Sequence, residues 1–208
     1  MTRKAILDAA VECFIDLGYA NTTTALIAEY AGVSRGAMMH HFPSRQSVLK
    51  AVVEYLHELR LSEYKDLMKD IDIPDVQLSR ERIRDSVESA WKYVNTPSFI
   101  AYEELLAASR TDPELNSVLQ PVEESFESQF MEAVHVVFPH WQDLEVLDLA
   151  NDLVQFTMRG MALSHMASNK EERARRILDY LTDALDHLYT EHARRRELLQ
   201  SYEKQLSG

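Results

Sequence analysis

The chain has 208 residues and a formal charge of −12, a length that can bury one large core or two small ones. Five glycines and six prolines are too few for turn-rich β architectures or Pro-rich disorder, so an all-α fold is expected. The negative charge argues at face value against a polyanionic partner. The single cysteine, Cys13, excludes a disulfide framework or a multi-Cys zinc site and suits a reducing compartment.

No stretch approaches the roughly 18 consecutive apolar residues of a membrane span, and a cytoplasmic protein is expected. The charge is unevenly spread. Residues 1–50 carry five basic residues (Arg3, Lys4, Arg35, Arg45, Lys50) and four acidic ones (Asp8, Glu12, Asp16, Glu29), which leaves −13 for the other 158. A near-neutral head and an acidic remainder suggest two jobs. The expected domains are 1–46 and 47–208.

In chain order, Ile6, Ala9, Ala10, Cys13 and Leu17 recur at helical spacing and stop at Gly18, predicting a first helix over 3–17. Thr22, Thr23 and Thr24 offer N-cap hydroxyls to a second helix of about two turns ending at Gly32. Ser34 can cap a third, in which Met38 and Phe42 share a face. A long fourth helix starts at Ser44 and carries Val48, Ala51, Val52, Tyr55, Leu56 and Leu59, continuing weakly through Tyr64, Leu67 and Met68. A Pro-containing loop over 70–79 precedes a fifth helix capped by Ser79, and a sixth is expected at 98–110. A seventh is predicted to restart at Pro121 and run to Phe138, an eighth to span 143–167, and a ninth to begin at a capping box of Asn169 and Glu172 and end near 204. About nine helices and no strand are expected.

The segment Thr22–Phe42, TTTALIAEYAGVSRGAMMHHF, reads as a helix-turn-helix. Ala28 permits close helix contact, Gly32 can take the left-handed conformation and Val33 plugs the corner. Such a unit presents the start of its second helix to a major groove. Arg35, Gly36 and Ala37 then lie nearest the bases: Arg35 as a guanine reader or a phosphate contact, Gly36 for close approach, Ala37 against a thymine methyl. Thr23, Thr24, His40, His41, Arg45 and the helix start at Ser34 and Ser44 are expected on phosphates and backbone, which position the protein without reading sequence.

Over residues 3–56 the sequence resembles the tetracycline-repressor (TetR) family of transcriptional regulators. The residues that carry the resemblance are Leu17-Gly18-Tyr19, the threonines, Ile27-Ala28, Ala31-Gly32-Val33-Ser34, Gly36, His41-Phe42, and Ser44 with Arg45. Met39 stands where the family commonly has a phosphate-binding Tyr, and His40 or His41 is expected to take that contact. The resemblance implies an N-terminal three-helix DNA-binding domain and a C-terminal helical domain for effector binding and dimerisation. It implies a repressor that holds a palindromic double-stranded operator as a homodimer and is released by a small apolar or amphipathic effector, lying on the nucleoid when DNA-bound. The helices at 143–167 and 170–204 would form the dimer, with no cofactor and no membrane partner.

Two apolar sets in the eighth helix agree with burial on two sides: Leu144, Leu147, Asn151, Val154, Met158, Met161 and His165, and Leu149, Leu153, Phe156, Gly160 and Leu163. The ninth helix adds Ile177, Leu178, Leu181, Leu185, Leu188 and Tyr189. An effector cavity is expected from Trp91, Phe99, Tyr102, Phe126, Phe130, Phe156, Met158 and Met161, with His135 and His165 as polar groups. The alternative is a di-metal carboxylate bundle using two Glu-x-x-His pairs, Glu54 with His57 and Glu132 with His135. No nucleophile or acid–base constellation stands out, so no catalytic residue and no enzyme activity is expected.

Overall fold

The computed structural model describes residues 3–69, 79–137, 145–164 and 170–206. Every regular element among them is an α-helix: α1 (Arg3–Leu17), α2 (Thr24–Tyr30), α3 (Arg35–His41), α4 (Arg45–Met68), α5 (Arg80–Tyr93), α6 (Pro97–Ser109), α7 (Pro113–Val137), α8 (Glu145–Leu163) and α9 (Lys170–Leu206). None is long and apolar enough to cross a membrane.

Side-chain caps set the helix starts. Thr23, Ser34, Ser79 and Thr96 accept from the backbone N–H groups of Leu26, Ala37, Arg82 and Phe99, satisfying donors that a helix start otherwise leaves open. At the start of α4, Ser44 Oγ accepts from Ser47 N–H at 3.0 Å while Ser47 Oγ accepts from Ser44 N–H at 3.1 Å. Gly32, at φ +63°, ends α2. Val33 N–H reaches Ala28 O at 2.9 Å and Gly32 N–H reaches Glu29 O at 3.0 Å, the paired bonds of a left-handed helix stop.

Contacts divide the chain into two compact units, Met1–Lys65 with Asn95–Glu132, and Asp66–Val94 with Ala133–Gly208. This cut differs from the boundary expected at residue 46. The physical reason is that α1 packs on α6 as well as on α2, and Ala101, Tyr102, Leu105, Leu115 and Leu119 share one core with Ile6, Ala10, Phe14, Ile27, Met38, Val52 and Leu56. The helix-turn-helix thus rests on a wider base than its own three helices. In the second unit α5, α8 and α9 pack together. Ile83, Val87, Leu147, Met158, Met161, Leu181 and Leu185 are buried there, and Arg80–Asp183 (2.6 Å) and Arg84–Asp179 (3.0 Å) pair α5 with α9.

Two expectations are corrected. Pro121 does not restart a helix; it lies inside an unbroken α7. It removes one backbone donor, but Leu115, Leu119, Phe126 and Phe130, buried on both sides of it, hold the helix through that point. Phe156, expected in a cavity, is 72% exposed. It sits two residues, about 200° of helix rotation, from the buried Met158. His165, Leu144 and Asn169 lie outside the described residues.

Candidate nucleic-acid interface

The start of α3 is built to be seen from outside and anchored from inside. Met38 is 2% exposed and Phe42 is also buried; one turn apart on one face, they tie α3 to the first unit's core. Arg35, Gly36 and Ala37 on the outer face are all exposed, and Ser34 Oγ fixes their helical start by accepting from Ala37 N–H at 3.1 Å. A Cβ on Gly36 would meet only Ser34 Oγ, at 3.9 Å. Nothing within the protein therefore demands glycine there. Met39, His40 and His41 are exposed, and the two imidazoles meet edge to face with centroids 5.6 Å apart.

Around this helix lie the residues expected on phosphates. Thr23 and Ser44 are exposed N-caps, and Thr24 is half-buried. Thr24 and Arg45 line one crevice with Tyr19, Ile27 and Val48. The Arg45 guanidinium carbon lies 5.3 Å from the Tyr19 ring centroid, a cation–π contact that limits where an exposed arginine can wander. Tyr19 is itself fixed: its hydroxyl donates to Asp112 at 3.0 Å and its N–H to Glu104 Oε1 at 2.9 Å. The Leu115 N–H, aided by Tyr19, holds the Asp112 carboxyl below its ordinary value, so it stays an acceptor. Arg45 is thereby referenced to α6 and to the start of α7.

The residues expected around an effector fall in both units. Phe99, Tyr102, Phe126 and Phe130 belong to the first; Trp91, His135, Phe156, Met158 and Met161 belong to the second. The first group surrounds a residue that sequence reading passed over. Arg60 is 3% exposed, with its guanidinium carbon 3.8 Å from the centroids of both Tyr102 and Phe126 and 5.9 Å from that of Phe99. Its Nε and Nη1 have no hydrogen-bond partner, nor has Nδ1 of His57 one turn earlier.

Two ring faces give a desolvated cation about 2 kcal/mol or more, whereas each unmet buried donor costs about 1–3 kcal/mol. The signal was present in the sequence: Val48, Val52, Leu56, Arg60, Tyr64 and Met68 form a strict i, i+4 row of α4, all buried. A charge in an otherwise apolar row is informative. Burial, and then repulsion from Arg60, lower the His57 pKa from its ordinary value against the Gln129 contact; the ring is neutral at pH 7.

The metal alternative finds no support. Glu54 is exposed, His57 sits against Phe126 and Gln129, and among the described residues no group of three or more His, Cys, Asp or Glu could hold a metal ion.

A family model described as "Bacterial regulatory proteins, tetR family" matches residues 6–52. The HTH-type transcriptional regulator TtgR of Pseudomonas putida is 43% identical over 70 residues, covering 31% of this chain and 33% of that protein. The regulator RutR of Escherichia coli K12 is 30% identical over 118 residues, covering 57% of this chain and 55% of that one. The chain thus matches a third to about half the length of these curated relatives. Salmonella enterica GusR shares the fold, with a TM-score of 0.62 at 20% identity over 90% of this chain and 95% of that chain. The segment that matches the model of tetR-family bacterial regulatory proteins is the one that forms the capped α2, the glycine stop and the outward-facing α3.

Proposed function

We infer that the chain is a ligand-responsive repressor that binds a palindromic operator as a homodimer. The observation that carries this reading is the two-sided α3, with Met38 and Phe42 buried while Arg35, Gly36 and Ala37 stand exposed at a capped helix start. Arg35 is placed to pair with a guanine edge, Ala37 to touch a thymine methyl, and Gly36 to let the duplex come close. Thr23, Thr24, His40, His41, Ser44 and Arg45 would hold the backbone. Met39, 43% exposed, lacks the hydroxyl that Tyr would supply, which leaves that contact to the histidines. The −12 charge is no obstacle, because the head itself is near neutral and the acidic remainder would stay off the DNA.

An exposed apolar row on α8, formed by Leu149, Leu153, Phe156 and Leu163 with Gly160 between them, supports dimerisation through α8 and α9, and Tyr180 adds exposed area on α9. A two-fold dimer presents two α3 helices, which must stand about 34–36 Å apart to meet successive major grooves. Effector control follows from connectivity within the first unit. Tyr102 stacks on Arg60 of α4, and Glu104, two residues on in α6, holds the Gly18–Tyr19 corner that positions Arg45. A ligand that fits one setting of α4 and α6 better than another would shift α3 out of register. A chromosomal operator would put the protein in the cytoplasm.

Genome-wide footprinting with the purified protein, with and without small-molecule extracts, tests this. Protected inverted repeats that vanish with an extract are expected; no discrete protected site, or protection of a single half-site only, would overturn the dimeric operator reading.

A further inference from the structure

We propose that the effector is an apolar carboxylic acid whose carboxylate docks on Arg60. This rests on the reading above that the first unit receives an effector, and it adds the ligand's charge class. Arg60 is a cation removed from solvent, and among the described residues no carboxylate forms an ion pair with it.

Two carboxylates of the first unit, Glu123 beside Tyr102 and Glu63 one turn on from Arg60 in α4, are engaged. Glu123 accepts from the Tyr102 hydroxyl at 2.5 Å, and Glu63 accepts from Ser98. The Arg60 donors Nε and Nη1 and the His57 Nδ1 remain unmet, and both residues border the Phe126 ring. An arginine buried for packing alone would carry the desolvation cost of those donors with nothing in return, whereas an anion satisfies them through charge-assisted bonds.

The surroundings decide which anion. Phe126 and Phe130 stack with centroids 5.7 Å apart, and Tyr64 lies 4.5 Å from Phe130. These rings extend the aromatic surface beyond the one that Phe126 offers the guanidinium. It suits a hydrocarbon or aryl body behind a single carboxylate and gives a free phosphate or a dianionic sugar phosphate nothing to do with its other oxygens. Neutral His57, in the tautomer that carries its proton on Nδ1, can donate one bond to the carboxylate without adding charge.

The test uses the full-length protein and two matched pairs, octanoate with octanamide and 4-phenylbutanoate with 4-phenylbutanamide, by isothermal titration calorimetry. At least one acid is expected to bind the wild-type chain about 10- to 100-fold tighter than its amide, the range of a hydrogen-bonded charge. Arg60→Met keeps the stem and removes the charge, and should bring the acid's affinity down to that of the amide. Amides that bind as well as acids, acids that fail to bind at millimolar concentration, or an acid preference that survives in Arg60→Met would each overturn the proposal. The acid–amide comparison stands on the wild-type protein alone, should the variant not fold.

Retention of footprinted DNA separates this from the broader reading. An acid that binds through Arg60 without releasing DNA leaves the carboxylate site standing and removes effector control. A neutral compound that releases DNA from wild type and Arg60→Met alike leaves effector control standing and removes the carboxylate.

Discussion

Replacing Phe156 should dissociate the protein without unfolding it. The side chain is 72% exposed on α8. A phenyl side chain has an accessible area of about 200 Å², so about 140 Å² awaits a partner. At about 25 cal/mol per Å² its complete burial is worth about 3.5 kcal/mol. Two-fold symmetry doubles this, and Ala retains the Cβ share, so Phe156→Ala should weaken the dimer by about 5 kcal/mol, an upper figure. That is about three to four decades in the dissociation constant. Val136→Ala, at a side chain 79% exposed on α7, is the matched control and should leave association unchanged. Sedimentation equilibrium from nanomolar to high micromolar protein measures the constant, and thermal unfolding of the dissociated variant checks that the fold persists. A wild-type chain that is monomeric throughout, or a Phe156→Ala dimer within threefold of wild type, would refute the assignment of α8 to the interface.

Three further outcomes are expected. Arg35→Ala should narrow the gap between operator and random duplex, whereas Arg45→Ala should weaken binding to both alike and flatten the salt dependence; equal losses on both duplexes for Arg35→Ala would remove its role as a base reader. Gly18→Ala should lower stability by about 3 kcal/mol, from a left-handed backbone cost of roughly 1–2 kcal/mol and loss of a charged hydrogen bond. Gly18 has φ +75° and its Cβ would lie 2.9 Å from Glu104 Oε1, the acceptor of Tyr19 N–H. A melting temperature within a degree of wild type would refute that account, and Gly36→Ala, where the new Cβ has room, should be thermally silent while binding DNA less well. Because the folded-state pKa of His57 is lowered, chiefly by burial and then by Arg60, the unfolded chain takes up a proton at pH values where the folded one does not. Stability should therefore fall as pH drops below about 6.5 and level off beneath the folded value. His57→Gln should flatten this limb of the stability–pH curve measured by urea titration, and an unchanged curve would show that another group sets it.

What could be read from one dimension was whatever is decided within a turn or two of chain. Thr23, Ser34, Ser44 and Ser79 cap the helices as expected, and Gly32 stops α2, because cap and stop bonds join residues three to five apart. The α2–α3 unit and its exposed first-turn residues were legible for the same reason, and the family resemblance is concentrated there.

The remainder depended on partners distant in sequence. Pro121 is a helix breaker by its own chemistry, yet flanking buried side chains carry α7 through it. Phe156 and Met158 belong to the same apolar helix, and only the packing of α5 and α9 determines that one faces a core and the other solvent. The base under the DNA-binding helices includes Tyr102, Leu105 and Leu115, 85 or more residues beyond the end of α1. Arg60 marked itself as a charge in an apolar row, but what it meets there, two ring faces and no carboxylate, is set by α6 and α7. Local hydrogen bonds are specified by adjacent residues; the environment of a buried charge is specified by whichever helices the whole chain brings to it.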